Sequence, residues 1–251
     1  GVGGPGAEGH AGGGGVRGEG GRRMRGEGGE RRAGSRKSRG RGPREGAAAG
    51  AVEGGLEGQA RILVPKRADG DQAHKIGLFV EMAEGVSCTV DRLDSLESVP
   101  ERLADYLRRE NLPARIKQSP GLEDSVIPWE KAPALEITSG AAVNEDAVGL
   151  TPAHAGIAET GTLMLHSSAE TPTTLHFVPD THVVLLRESQ IVGAYEDAWD
   201  LLRQKLGLEP GASVPRTVNL VTGPSRTGDV EQIIQLGAHG PRRLHIMLVK
   251  D

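Results

Sequence analysis

The sequence predicts a single α/β domain with a mostly parallel sheet flanked by helices. Helical and strand patterns alternate at both ends of the region that follows residue 58, around a middle that is rich in short strands. The clearest strand pair lies near the end of the chain, at 217–222 and 244–249, with a short helical pattern between the two runs. A connection of that length permits a parallel crossover.

The spacing of apolar residues, together with capping residues, glycines and prolines at element ends, locates the individual elements. Three helices are predicted: one over 71–85, one that opens with a capping box at 98–101 and stops before Pro113, and one over 195–206 that ends at Gly207. The predicted strands of the same region are 86–90, 114–118, 135–138, 156–158, 163–166, 174–178 and 182–186.

Residues 1–58 differ in composition from the rest of the chain. They contain 23 of the 38 glycines, 11 basic and 7 acidic residues, and no aromatic residue. Such a segment has too little apolar surface to offset the entropy of folding. We therefore predict a disordered Gly/Arg-rich extension over 1–58, without a function of its own, and a folded domain over 59–251.

Charge and cysteine content exclude several classes of function. Residues 59–251 hold 19 basic and 27 acidic residues, which argues against a nucleic-acid groove in the folded part. The Arg-Gly steps of the extension suggest RNA binding, but the missing aromatic residues and the interspersed glutamates argue against it. Cys88 is the one cysteine, so this chain cannot ligate an iron–sulfur cluster by itself. The sequence shows no apolar run that would span a membrane and no secretory signal, and we predict a cytoplasmic protein.

The loop that follows the strand at 217–222 is the first candidate site. It contains Gly223, Ser225, Arg226, Thr227 and Asp229, and leads into the predicted helix. Two hydroxyls, a guanidinium and the free N–H groups of a helix N-terminus favour an anion. The structural alternatives are a salt bridge from the guanidinium to a nearby carboxylate and capping of the helix by the hydroxyls or by the aspartate.

A second candidate site lies at a turn between two strands in the middle of the chain. Glu159 follows one apolar run and precedes Thr160, Gly161 and Thr162, which lead into the next run. Either the turn's own N–H groups satisfy this carboxylate, or it faces a cleft as a base, a nucleophile or a ligand clamp. His239, between two glycines near the end of the chain, either reaches the same cleft or closes the predicted helix. The other histidines of the domain show no metal-ligand spacing, and no metal site is predicted.

Several motifs resemble the LUD domain family and, within it, the lactate utilization protein C (LutC/YkgG) group. They are AETGTL at 158–163, PTTLHFVPDTH at 172–182, VGAYEDA at 192–198, GPSRTGDVE at 223–231 and HGP at 239–241. The resemblance covers about residues 76–251. It implies a fold similar to that of CoA transferases and ribose-phosphate isomerases, and the matching family positions are Glu159, Thr160, Gly161, Thr162, Gly223, Ser225, Arg226, Thr227, Asp229 and His239.

The resemblance further implies a place in the bacterial system that oxidises L-lactate to pyruvate. The chain has no credible nicotinamide or flavin fingerprint, so no cofactor is expected on it, and iron–sulfur clusters are expected in partner subunits. This chain would bind a small anionic ligand or organise the complex. The alternative is a freestanding CoA-transferase-like or sugar-phosphate-handling enzyme that uses Glu159, by analogy of fold alone.

Overall fold

A computed structural model describes residues 66–123, 127–207, 215–228, 234–237 and 239–251. The predicted extension over 1–58 and the position of Asp229 lie outside the described residues. The α-helices in these described ranges are α1 (Gln72–Gly85), α2 (Val99–Arg109), α3 (Thr174–Phe177) and α4 (Tyr195–Leu206). The first six strands are β1 (Thr89–Leu93), β2 (Arg115–Gln118), β3 (Glu136–Ser139), β4 (Val148–Pro152), β5 (Ala155–Ile157) and β6 (Thr162–His166). The last six are β7 (Thr181–Arg187), β8 (Ile191–Val192), β9 (Val218–Val221), β10 (Arg226–Gly228), β11 (Ile234–Leu236) and β12 (Arg243–Val249).

The main sheet has six parallel strands in the order β1-β12-β7-β4-β2-β3. A second, mixed sheet has four strands in the order β8-β5-β6-β9, and β10 and β11 form an antiparallel pair. The predicted α/β class with a mostly parallel sheet is therefore confirmed.

Three apolar clusters arrange the domain in layers. One face of the main sheet packs on α2 through residues such as Leu103, Tyr106 and Leu150. Its other face packs on α1 and on the inner face of the second sheet. The outer face of the second sheet packs on α4, through Met164 and Leu202 among others. Side chains of a strand point alternately to its two faces, which places the neighbours of Met164 in the cluster with α1.

Helix α1 begins at a side-chain cap. Asp71 has extended backbone angles, and its carboxylate accepts a hydrogen bond of 2.8 Å from the backbone N–H of His74. We expect Asp71→Ala to lower the free energy of unfolding by about 1 kcal/mol, because it leaves a donor of the first turn unsatisfied. Urea denaturation measures the effect. Asp71→Asn keeps an acceptor, so an equal loss in that variant would show that the cap is not the cause.

Two local predictions are wrong. Residues 174–178, predicted as a strand, contain the short helix α3, in which Leu175 and His176 are buried and Phe177 is exposed. The predicted capping box at Ser98 is absent, because the Ser98 hydroxyl donates to the carbonyl of Ser95 in the preceding 3-10 turn.

Both strands predicted at the end of the chain are present, but the parallel crossover predicted between them is wrong. Strand β9 belongs to the second sheet and β12 to the main sheet, so no parallel crossover joins them. The predicted loop supplies β10 and the stretch predicted as a helix supplies β11, and these two strands pair with each other. The stretch predicted as a helix is rich in β-branched residues, which favour extended backbone over helix. Residues 229–233, where the predicted helix would begin, lie outside the described residues, so the argument from a helix N-terminus stays a prediction.

Candidate functional site

The turn between β5 and β6 carries a buried carboxylate. The side chain of Glu159 is 4% exposed, and its backbone N–H donates to the carbonyl of Gly193 at 3.2 Å. Among the described residues, Oε2 of Glu159 has no hydrogen-bond partner. Buried carboxylate oxygens are rarely left in this state, because losing water without a replacement donor is costly.

Gly161 lets this turn press directly against helix α1. Its φ is +65°, a conformation that favours glycine. A Cβ atom built at this position would lie 2.3 Å from the backbone nitrogen of Ala83 and 2.6 Å from the carbonyl carbon of Met82. The predicted site residue Gly161 therefore has a clear structural role at the C-terminal end of α1.

Four hydroxyl groups connect this turn to the end of strand β9. Thr162 Oγ1 lies 2.7 Å from Thr160 Oγ1, 3.0 Å from the Tyr195 hydroxyl and 2.7 Å from Thr222 Oγ1. Thr160 Oγ1 also lies 3.1 Å from the Tyr195 hydroxyl. We call these four residues the hydroxyl cluster. It brings the predicted residues Thr160 and Thr162 next to the loop that contains Gly223.

The loop after β9 also packs on the end of α1. Gly223 has a φ of +85°, and a Cβ atom there would lie 2.6 Å from the carbonyl oxygen of Val86. The Arg226 guanidinium donates to that same oxygen at 2.6 Å. Burial raises the pKa of the nearby Cys88 thiol to about 11, so the thiol is neutral at pH 7. Among the described residues, Arg226 thus binds a backbone carbonyl, which neither of its predicted roles included.

A cleft of about 240 Å³ lies where the main sheet, the second sheet and α3 meet. It brings together three of the predicted site residues, Gly223, Ser225 and His239. The other lining residues are His176, Phe177, His182, Leu220, Val221, Thr222, Pro224, Gly240, Pro241 and Leu244. Neither the Glu159 turn nor Arg226 lines this cleft, and Thr227 lies in β10.

Ser225 holds the two loops of the cleft together. Its N–H donates to the carbonyl of Pro241 at 2.8 Å, and its carbonyl accepts from the N–H of Gly237 at 3.0 Å. Its Oγ accepts from the backbone N–H of His239 at 3.3 Å. The backbone bonds of Ser225 are thus used within the protein, whereas its hydroxyl proton has no acceptor among the described residues and is available to a ligand.

The sequence did not identify His176 and His182 as site residues. Their rings stack with centroids 5.6 Å apart, and each has a polar partner. Thr151 Oγ1 lies 2.8 Å from Nε2 of His182, and Asn219 Nδ2 lies 3.3 Å from Nδ1 of His176. Burial lowers the pKa of His176 to about 4 and that of His182 to about 3, so both rings are neutral at pH 7.

The described lining of the cleft consequently contains no group with a fixed charge. It offers imidazole and hydroxyl groups beside apolar walls formed by Phe177, Leu220 and Leu244. Among the described residues, no three histidine, cysteine, aspartate or glutamate side chains are grouped so that they could hold a metal ion. The cleft is therefore suited to a small ligand with both polar and apolar parts.

Residues 141–249 match the model of the LUD domain family. The matched segment contains the Glu159 turn, the hydroxyl cluster and every lining residue of the cleft. This part of the chain matches the LUD domain family, and the resemblance inferred from the motifs is confirmed.

Two curated relatives illustrate the similarity. Lactate utilization protein C of Bacillus subtilis is 35% identical over 104 residues, which are 41% of this chain and 42% of the relative. The uncharacterized protein YkgG of Escherichia coli is 31% identical over 129 residues, which are 51% of this chain and 54% of the relative. The match thus spans about half the length of these relatives, or less.

The fold is also found in a solved structure. A crystal structure of a DUF162 family protein from Deinococcus radiodurans superposes with a TM-score of 0.54 at 22% sequence identity. The match covers 71% of this chain and 98% of that protein. At this identity the likeness establishes the α/β fold.

Among the described residues of this chain, no helix has the length and apolar content needed to cross a membrane.

Proposed function

We propose that this chain is a component of a bacterial lactate utilization system that oxidises L-lactate to pyruvate, and that the cleft is its ligand site. The observation that carries the proposal is the match to the LUD family over 141–249, a segment that contains the whole cleft, together with the similarity to lactate utilization protein C. Within that segment the two loops at Ser225 and His239 converge with two neutral histidines. This arrangement supports a binding role for the subunit.

The redox centres of such a system belong to other subunits in this proposal. Lactate oxidation transfers two electrons, and this chain has a single cysteine, which is too few for a cluster of its own. We therefore propose iron–sulfur subunits as partners. An affinity-tagged full chain purified from its native host should retain proteins that contain iron and acid-labile sulfide. A tagged chain that is folded but free of such proteins would count against these partners.

A deletion strain tests the functional assignment. Cells of the native host that lack this chain should consume L-lactate much more slowly than the parent strain. Expression of the wild-type chain should restore the rate. Pyruvate consumption is the matched control, because a general metabolic defect would lower both rates. Unchanged L-lactate consumption in the deletion strain would reject the proposal.

A second candidate function, a CoA-transferase-like or sugar-phosphate-handling enzyme, depends on Glu159. Oε2 of this residue is buried and has no hydrogen-bond partner in the part of the chain that the structure describes, which favours a special role, because strongly desolvated carboxyl groups are frequent at functional sites. Against this role, the side chain is 4% exposed and does not line the cleft. A substrate would reach the carboxylate only after the turn had opened.

We expect Glu159→Gln to support L-lactate consumption as well as the wild-type chain, since the carboxylate lies outside the cleft. The melting temperature should be equal or slightly higher, because the amide costs less to bury than an ionised carboxylate. Glu188→Gln, at a partly exposed carboxylate outside the cleft, is the control. Loss of consumption with an unchanged melting temperature would instead favour the second candidate function.

A further inference from the structure

Two histidines near the second sheet and α4 have buried ring nitrogens without partners. His154 precedes β5 and is 5% exposed, and His166 ends β6 and is half-buried. Among the described residues, neither Nε2 of His154 nor Nδ1 of His166 has a hydrogen-bond partner. The two rings meet edge to face, with centroids 5.3 Å apart and an interplanar angle of 70°. Buried polar atoms are rarely unpaired, so two of them in neighbouring rings require an explanation.

The surroundings of His154 fix the position of its ring proton. The backbone carbonyl of Leu201 in α4 accepts a hydrogen bond from this ring. Because Nε2 has no partner in the part of the chain that the structure describes, the donor is Nδ1. Burial lowers the pKa of His154 to about 4, so the ring is neutral at pH 7 and Nε2 has a free lone pair. Histidines that ligate metals typically donate their other ring N–H in this way.

The separation of the two rings fits coordination of one ion by both. With metal–nitrogen bonds of about 2.0 Å, each ring centroid would lie about 3.2 Å from the ion. A centroid separation of 5.3 Å then corresponds to an angle of about 110° at the ion. That angle suits an ion with three or four ligands.

A methionine between the two histidines supplies a third donor. Met164 precedes His166 by two residues on β6, so the two side chains leave the same face of the sheet. The backbone N–H of His154 donates to the carbonyl of Met164 at 2.9 Å, which makes these two residues direct neighbours. Met164 is fully buried in the cluster with α4. Its unbranched side chain has three rotatable bonds and can turn its sulfur toward the rings.

We propose that His154, His166 and Met164 form a site for a monovalent copper ion, Cu(I). Imidazole nitrogen and thioether sulfur are donors that suit this ion. All three ligands are neutral, and the Lys205 ammonium of α4 acts on His154 with a positive charge. None of the described aspartate or glutamate side chains is grouped with the two rings. A divalent ion would therefore bring two unbalanced positive charges into a buried site, whereas Cu(I) brings one.

The proposed copper site is separate from the cleft, since none of its three ligands lines the cleft. An ion held there would tie the turn before β5 to the end of β6 beneath α4. The proposal is thus independent of the ligand proposed for the cleft.

Titration of the purified full chain with Cu(I) under anaerobic conditions tests the proposal, with bicinchoninate as a coloured competitor. We expect the chain, freed of metal beforehand, to bind one Cu(I), and an excess of Zn²⁺ not to displace it. His154→Gln, His166→Gln and Met164→Leu should each weaken binding by at least about tenfold, because even losing a group behind the ligands costs about 10–100-fold.

Two substitutions outside the site are matched controls. His74→Gln removes an exposed histidine of α1, and Cys88→Ala removes the single thiol, which is another soft donor. Both variants should keep the wild-type affinity for Cu(I). Melting temperatures without copper show that each variant is folded. Added Cu(I) should raise the melting temperature of the wild-type chain but not that of His166→Gln.

A wild-type chain that binds no Cu(I) would overturn the proposal. Wild-type affinity in a folded His166→Gln or Met164→Leu chain would do so too, as would displacement of Cu(I) by Zn²⁺. Loss of binding in a folded Cys88→Ala chain would assign the copper to the thiol instead. If His154→Gln does not fold, the half-buried His166 decides between these outcomes.

Discussion

Gly161→Ala should unfold the domain or lower its free energy of unfolding by about 3–5 kcal/mol. The alanine methyl group would lie 2.3 Å from the backbone nitrogen of Ala83, far inside van der Waals contact. The obstacle is helix backbone, which cannot rotate away as a side chain would. The positive φ of +65° adds strain for any residue with a Cβ. Since whole domains have stabilities of about 5–15 kcal/mol, this loss is a large fraction of the total.

Gly77→Ala provides a matched control on the same helix. Gly77 is exposed in α1, and a Cβ atom built there has no neighbour within 4 Å. This substitution should raise the free energy of unfolding by about 0.5–1 kcal/mol through helix propensity. Urea denaturation of both variants gives the comparison. A Gly161→Ala protein with the wild-type midpoint would show that the turn does not press on α1 as described.

Acid should destabilise the domain strongly between pH 6.5 and 4. Burial is the main cause that lowers the pKa of four histidines, to about 4 for His154, His176 and His245 and to about 3 for His182. These side chains are 5%, 2%, 0% and 1% exposed, respectively. In the unfolded chain they titrate near 6.5, so below that pH the unfolded state binds protons that the folded state does not.

The sign follows from these proton counts. The histidines leave stability undiminished above pH 6.5, and stability is lost as the pH falls toward 4, by up to about 1.4 kcal/mol per pH unit for each histidine. Urea denaturation at a series of pH values measures the slope. His154→Gln should reduce the proton uptake on unfolding by one. An uptake below one proton in the wild-type chain near pH 5.5 would contradict the burial of these rings.

The sequence predicted the elements whose signals are local. Helix α4 was predicted over its exact range, because an amphipathic pattern ends at Gly207, which adopts a φ of +57°. Strand pairing is a different matter, since it depends on residues far apart in the chain. The runs that became β9 and β12 look alike in sequence, yet they pair in different sheets. Strand β4 is central to the main sheet, but the sequence did not predict it, because prolines recur through this part of the chain.

The candidate site shows the same division. The motifs drew attention to Gly161 and Gly223, whose positive φ values and close approach to α1 require glycine. His176 lies within the motif at 172–182 but was not assigned to the site, because its run reads as a strand and its partner Asn219 is 43 residues away. Tyr195 was identified as a helix start, whereas its hydroxyl contacts become visible only when α4 is packed on the second sheet. The predicted roles of the remaining site residues stay predictions.

The position of the cleft has a mechanical consequence. Its lining takes His182 and Leu244 from the main sheet and Leu220 and Val221 from the second sheet. An occupant would touch both sheets at once and would favour the spacing at which both contacts are made. Conversely, any partner that altered the spacing of the two sheets would change the affinity for the occupant. Binding of the ligand and binding of the partner would then be coupled through the spacing of the two sheets.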